Sequence, residues 1–176
     1  MPAPDSPAAI ASKLTSERAK LLESLAGLEP AVLVKPYGEG GWSIKDILAH
    51  VAMAEQVNVA FAKLMVEKDL PDQLREFARL YPELGQFDLD RFNASMAERW
   101  SSKTVAEVLA ALGAVRAKTL DWLLSLNDDQ LERRGQHAVW GRQSVRLQPR
   151  KASAWPSAGE DLPWPSDTGR AGPATR

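Results

Sequence analysis

The chain contains no cysteine, which removes disulfides, thiolate metal sites and a cysteine nucleophile together and fits a reducing compartment. An excess of charge of either sign is lacking as well: 22 Lys and Arg face 23 Asp and Glu, a formal net charge of -1. No global field therefore recruits nucleic acid or an anionic membrane surface. No stretch approaches the roughly 20 consecutive apolar residues needed to span a bilayer. The opening MPAPDSPAAIASK lacks the basic region and continuous apolar core of a secretory leader. These absences predict a cytoplasmic protein with neither a nucleic-acid nor a membrane partner. P-loop, dinucleotide, serine-elbow and zinc-protease motifs are missing. Sustained period-two alternation is missing too, so essentially no sheet is expected.

What remains is helical. The 176 residues, 44% of them hydrophobic, suffice for one domain with a real core. Ser6 and Pro7 read as N-cap and first helical position, and Ile10, Leu14, Leu21, Leu25 and Leu28 recur near helical spacing, predicting a helix from about residue 7 to Leu25. EPAVLVKPYGEGG follows, with two prolines and three glycines, and reads as a long connection. Ser43 then opens a second helix as N-cap, with Asp46 three residues on and Trp42 placed to pack on Ile47; this helix should reach about Lys68. LREFARLYPELGQ reads as a short, partly helical linker broken at Pro82 and Gly85. DLDRFNASMAERW starts another helix near Asp88. Thr104 and Glu107 form a second capping box ahead of the stripe Val105, Val108, Leu109, Leu112, Val115, Leu120 and Leu123. These last two segments are one bent helix or two.

After DDQLERRGQHAVWGRQ, the segment SVRL looks like another helix opening, with Ser144 as cap. Residues 147 to 176 contain five prolines and no Ile, Val, Phe or Met. Such a segment neither continues a helix nor buries enough surface to offset ordering entropy, and it is expected to be a disordered Pro/Ala/Ser/Gly-rich tail to residues 1–146. The tryptophans at 100, 122, 140, 155 and 164 are not spaced as a stacking platform; Trp100 and Trp122 are expected in or near the core. ERRGQ is a small basic cluster expected to be solvated.

The scarcest useful residue is histidine, of which there are two. At about 100° per residue, Asp46, His50, Ala54, Val57, Phe61 and Leu64 fall within roughly 40° of one line along the second helix. His50 is therefore expected to face the bundle interior, where a neutral imidazole is favoured and its lone pair needs a partner. A metal ion is one such partner; a buried hydroxyl, a carbonyl or water is another. Asp46 lies one turn away, but capping already uses its oxygens. Glu55 points roughly 140° away from His50. His137 falls in a Gly-containing loop and reads as a surface residue.

GGWSIKDILAHVAMAEQ, through Trp42, Ser43, Ile47, Leu48 and His50, resembles the second-helix signature of the DinB-like superfamily. That group includes the YfiT-type metal-dependent hydrolases and the metal-binding domain of mycothiol-dependent maleylpyruvate isomerase. FDLDRFNASMAERW, TVAEVLAALGAVRAKTLDWLLSL and DDQLERRGQHAVWGRQSV are similar to later segments of the same family, and the likeness covers about residues 7 to 146.

The resemblance implies an all-α, up-and-down four-helix bundle and a divalent metal, nickel or zinc, held by three histidines. His50 matches the first of these. The other two belong to the family's last helix, as H-x-x-x-H, and this chain does not have them: the composition changes beyond about Leu147, as though the reading frame had shifted or the helix had been replaced. The expected function is that of a relative of metal-dependent hydrolases and thiol-dependent transferases, with an incomplete metal site, an unknown small-molecule substrate and reduced or no activity. The alternative is a non-catalytic small-molecule-binding or stress-response bundle. A truncated bundle leaves an apolar groove that favours a homodimer.

Overall fold

The computed structural model describes residues 6–38, 41–68, 70–82, 89–137 and 141–145. The expected tail, 147–176, lies outside the described residues. Helix α1 runs Pro7–Leu25, with the Ser6 side chain accepting from the Ala9 N–H. The connection that follows is not wholly irregular: Pro30 occupies the first position of a one-turn helix α2, Pro30–Val34, which buries Leu33. A proline there loses no hydrogen bond, since the first helical N–H groups have no partner in any case. Gly38 then takes a positive φ of 75°, and the Tyr37 N–H donates to the Trp42 carbonyl at 3.1 Å, a turn that delivers Trp42 to the start of the next helix.

Helix α3, Ile44–Glu67, opens with a reciprocal capping box. Ser43 Oγ accepts from the Asp46 N–H, while Asp46 Oδ2 accepts from the Ser43 N–H at 2.9 Å. Helix α4, Leu70–Leu80, forms in the segment read as a linker, and its Phe77 stacks edge-on against Phe61 of α3 with ring centroids 5.0 Å apart. Helix α5, Leu89–Ser101, and helix α6, Val105–Leu124, are two helices, not one bent one. The Thr104 and Glu107 capping box restarts the chain, and Lys45 of α3 clamps the corner by donating to the Ser101 and Lys103 carbonyls.

A five-residue helix α7, Asp128–Glu132, leads into strands β1, Arg134–His137, and β2, Gly141–Ser144. They pair antiparallel with Arg134 opposite Ser144 and His137 opposite Gly141. Ser144, read from the sequence as a helix cap, is therefore a strand residue. The hairpin leaves the all-α class intact and closes one end of the bundle. Val145, just beyond it, is fully buried and its N–H donates to the Arg133 carbonyl at 2.9 Å.

The core has two parts. Ile10 and Leu14 of α1 meet Met53, Val57, Phe61 and Met65 of α3, Phe77 of α4 and Leu123 of α6. Leu48, Ala49 and Ala52 of α3 meet Val108 and Leu112 of α6, flanked by Leu21 and Leu25 of α1 and Trp100 of α5. Early residues of α3 thus pack on early residues of α6 and late on late, so the two run parallel. Helix α1 pairs its start with their ends and runs antiparallel to both. Trp122, like Trp100, packs partly buried against the core, as expected.

Candidate functional site

His50 lies in the second turn of α3, and its surroundings follow from how that helix is buried. In the first half of α3 the buried residues are Leu48, Ala49, Ala52, Met53 and Glu55, which turn towards α1 and α6. At about 100° per residue His50 points roughly 160° from Ala52. It is consequently half-buried rather than enclosed. The expectation that it faces the interior is thus met only in part. The apolar line that suggested it, through Val57, Phe61 and Leu64, belongs to the second half of the helix, which is buried nearly all round.

Trp42 supplies part of the cover. Its ring meets the imidazole edge-on, with centroids 5.2 Å apart and an interplanar angle of 64°, a favoured arrangement for aromatic pairs. Burial lowers the His50 pKa from its ordinary 6.5, because the protonated ring loses hydration and no carboxylate compensates it. The imidazole is therefore neutral near neutral pH, the form in which a ring nitrogen offers a lone pair to a ligand.

The carboxylates nearest in sequence are committed elsewhere. Asp46 Oδ2 accepts from both the backbone N–H and the hydroxyl of Ser43, at 2.9 and 2.6 Å. Glu55 is 1% exposed and is held by two arginines, Arg18 of α1 and Arg116 of α6. Arg18 Nη2 donates to Glu55 Oε2 at 2.9 Å. Arg116 donates through Nε to Oε1 at 2.8 Å and through Nη2 to Oε2 at 2.9 Å, a forked pairing that suits a planar guanidinium. Among the described residues no group of three or more His, Cys, Asp or Glu side chains is placed to hold a metal ion. Among the described residues the available donors, one imidazole beside a capping carboxylate, do not fit a three-ligand metal centre. His137 ends β1 at the hairpin, with its backbone opposite Gly141.

Sequence reasoning missed the Arg18, Glu55 and Arg116 cluster. One available signal was Glu55 itself, an acidic residue at a position of α3 flanked by Ala52, Val59 and Ala62 on the same side. No helix among the described residues is long and apolar enough to cross a membrane. No curated protein and no solved structure matches the chain. The family model of the DinB superfamily matches residues 13–148, which takes in most of α1, all of α3 with the His50 turn, α6 and the hairpin, and so the chain belongs to the DinB superfamily.

Proposed function

We propose that this chain is a DinB-superfamily bundle related to metal-dependent hydrolases and thiol-dependent transferases, in which His50 is the one retained ligand of a three-histidine set and activity is reduced or absent. The observation that carries the reading is the company His50 keeps. Its ring is neutral and half-buried against Trp42, while the nearby carboxylates serve as a helix cap and as the centre of an arginine pair. One imidazole binds a divalent ion weakly, since affinity rests on several donors converging in fixed geometry. Calorimetric titration of the full chain with nickel and with zinc tests this. The expected result is no tight one-to-one uptake and no difference between the native chain and His50→Ala. Tight stoichiometric binding abolished by His50→Ala would restore the complete-enzyme reading.

A second reading, a non-catalytic bundle that associates with itself, is favoured by a separate observation. Leu22, Leu28, Val32, Val34 and Tyr37 are all exposed along the end of α1 and the connection through α2, Tyr37 at 92%. Exposed apolar side chains grouped along one stretch of chain are candidates for an interaction surface. Sedimentation across a concentration series distinguishes the readings: a dimer weakened by Val34→Asp supports self-association, and a monomer at all concentrations removes it.

A further inference from the structure

The arginines flanking Glu55 are arranged reciprocally. Besides its bond to the carboxylate, Arg18 Nη1 donates to the Leu112 carbonyl at 2.8 Å, and Arg116 Nη1 donates to the Leu14 carbonyl. Each arginine thus reaches the backbone four residues before the other, the relation a two-fold axis imposes on an antiparallel helix pair. The sequence carries the same symmetry. Leu14-x-x-x-Arg18-Ala19-Lys20-x-Leu22 in α1 recurs as Leu112-x-x-x-Arg116-Ala117-Lys118-x-Leu120 in α6, followed in both by an acid, Glu23 or Asp121, and then by Leu25 or Leu123.

We propose that the Arg18, Glu55 and Arg116 cluster is a register lock that specifies how α1, α3 and α6 align, and that its role is this specificity and not net stability. The apolar contacts between these helices are Leu, Ala and Val at helical spacing, which a slip of one turn, about 5.4 Å, replaces with other Leu, Ala and Val. The charged cluster has no such alternative. A slip of α1 against α6 breaks both carbonyl bonds at once and strands at least one guanidinium in the core, where Arg18 and Arg116 are only 8% and 6% exposed. Two buried cations sharing one carboxylate contribute little net stability after desolvation, yet leaving any of the three without its partner is costly. That asymmetry penalises wrong alignments without favouring the right one over a well-packed apolar core. Glu55 projects roughly 140° from His50 around α3, so the lock also keeps the three-helix unit aligned independently of what covers the His50 face.

The absence of cysteine allows a direct test. A nitroxide on Ser16→Cys, midway between Leu14 and Arg18, should broaden α6 amide signals in a single profile centred midway between Leu112 and Arg116. Two cluster variants are compared in that background. The apolar triple Arg18→Met, Glu55→Leu, Arg116→Met should fold at least as stably, with a profile that widens or gains a second maximum one turn away. The pair Arg18→Lys, Arg116→Lys keeps the charges but not the fork, and should widen the profile as well. One sharp maximum at the native place in both variants would overturn the proposal. Failure of the apolar triple to fold would overturn it too, since the cluster would then be needed for stability.

Discussion

The indole of Trp42 stands edge-on to the imidazole of His50, centroid to centroid 5.2 Å, and this contact links the residue before the α3 cap to the second turn of the helix. The capping box sets the direction from which the chain enters α3. The entry direction decides where the Trp42 ring lies, and the ring lies against one edge of His50. A side chain outside the helix is thereby placed to contribute to the burial that lowers the His50 pKa.

That lowering has a measurable sign. Burial holds the His50 pKa below its ordinary 6.5, so between the two values the unfolded chain binds a proton that the folded chain refuses. Stability from this group is complete above the unfolded value and is lost as pH falls from 6.5 towards the folded pKa. Denaturant midpoints of the native chain and of His50→Asn, compared at pH 8 and at about pH 5, should show the native chain losing more on acidification. Trp42→Ala should move the His50 ring titration, followed by NMR, back up towards the ordinary value. A His50 titration indifferent to Trp42 would show that the indole does not control the ring's hydration.

The capping boxes of α3 and α6 give a second prediction. Ser43 and Thr104 make the same pair of bonds with Asp46 and Glu107, but Ser43 is buried and Thr104 is exposed. Thr104→Ala should cost about 1 kcal/mol, the usual loss of an N-cap. Ser43→Ala should cost more: both substitutions take a hydroxyl donor from the capping carboxylate, 2.6 Å from Asp46 Oδ2 and 2.9 Å from Glu107 Oε2, but only at Ser43 does this happen in a place that water reaches poorly. Urea unfolding of the two single variants ranks them; equal losses would mean that water replaces the Ser43 hydroxyl freely.

How much of this was legible follows from the range of each interaction. The capping boxes of α3 and α6 span three residues and were read from the sequence with the correct partners, as were the bounds of α1 and α3 and the start of α6, whereas the Asn127 and Gln130 box of α7 was not read. Neither Arg18 with Glu55, 37 residues apart, nor Arg116 with Glu55, 61 apart, leaves any local trace, and charged residues on helices default to solvated faces. The angle between Glu55 and His50 was right, but what faced Glu55 was not available from one helix alone. The hairpin was missed because RGQH and GRQS are polar and too short to alternate, so their pairing rests on the turn and on what packs beneath. His50 was turned too far inward because the periodicity was averaged over 24 residues, whose two halves are buried against different neighbours.

The hairpin yields a paired prediction on glycine. A side chain at Gly135 of β1 would collide with the Gln73 Oε1 of α4 and approach the Met65 Cγ of α3 at 2.6 Å, so the strand lies directly on the helices. Gly135→Ala should destabilise by about 1–3 kcal/mol, as overpacking does. Gly113, inside α6, has nothing within 4 Å of the corresponding position. Gly113→Ala should stabilise by about 0.4–1 kcal/mol, by restricting the unfolded chain and favouring the helix. Thermal unfolding of both variants checks the contrast, and a tolerated Gly135→Ala would mean that the hairpin stands off the bundle.

The last prediction separates the charge of Glu55 from its shape. Glu55→Gln keeps nearly the same volume and one carbonyl oxygen, so packing among Ala52, Val59 and Ala62 is preserved. It removes the only anion shared by Arg18 and Arg116 among the described residues, leaving two buried cations whose remaining bonds run to the Leu14 and Leu112 carbonyls. Desolvation, followed by Arg116, already lowers the Arg18 pKa, and Glu55 is the group that opposes both. Without it the two guanidinium groups repel one another in a poorly hydrated core, and a loss of about 3–5 kcal/mol is expected, as for other broken buried pairs. Adding Arg116→Met to Glu55→Gln removes one of the stranded cations and should recover part of that loss, because a neutral neighbour no longer opposes Arg18. Guanidinium unfolding of the single and double variants decides the matter. A double variant weaker than Glu55→Gln alone would show that Arg116 acts through its packing and its bond to Leu14 rather than through its charge.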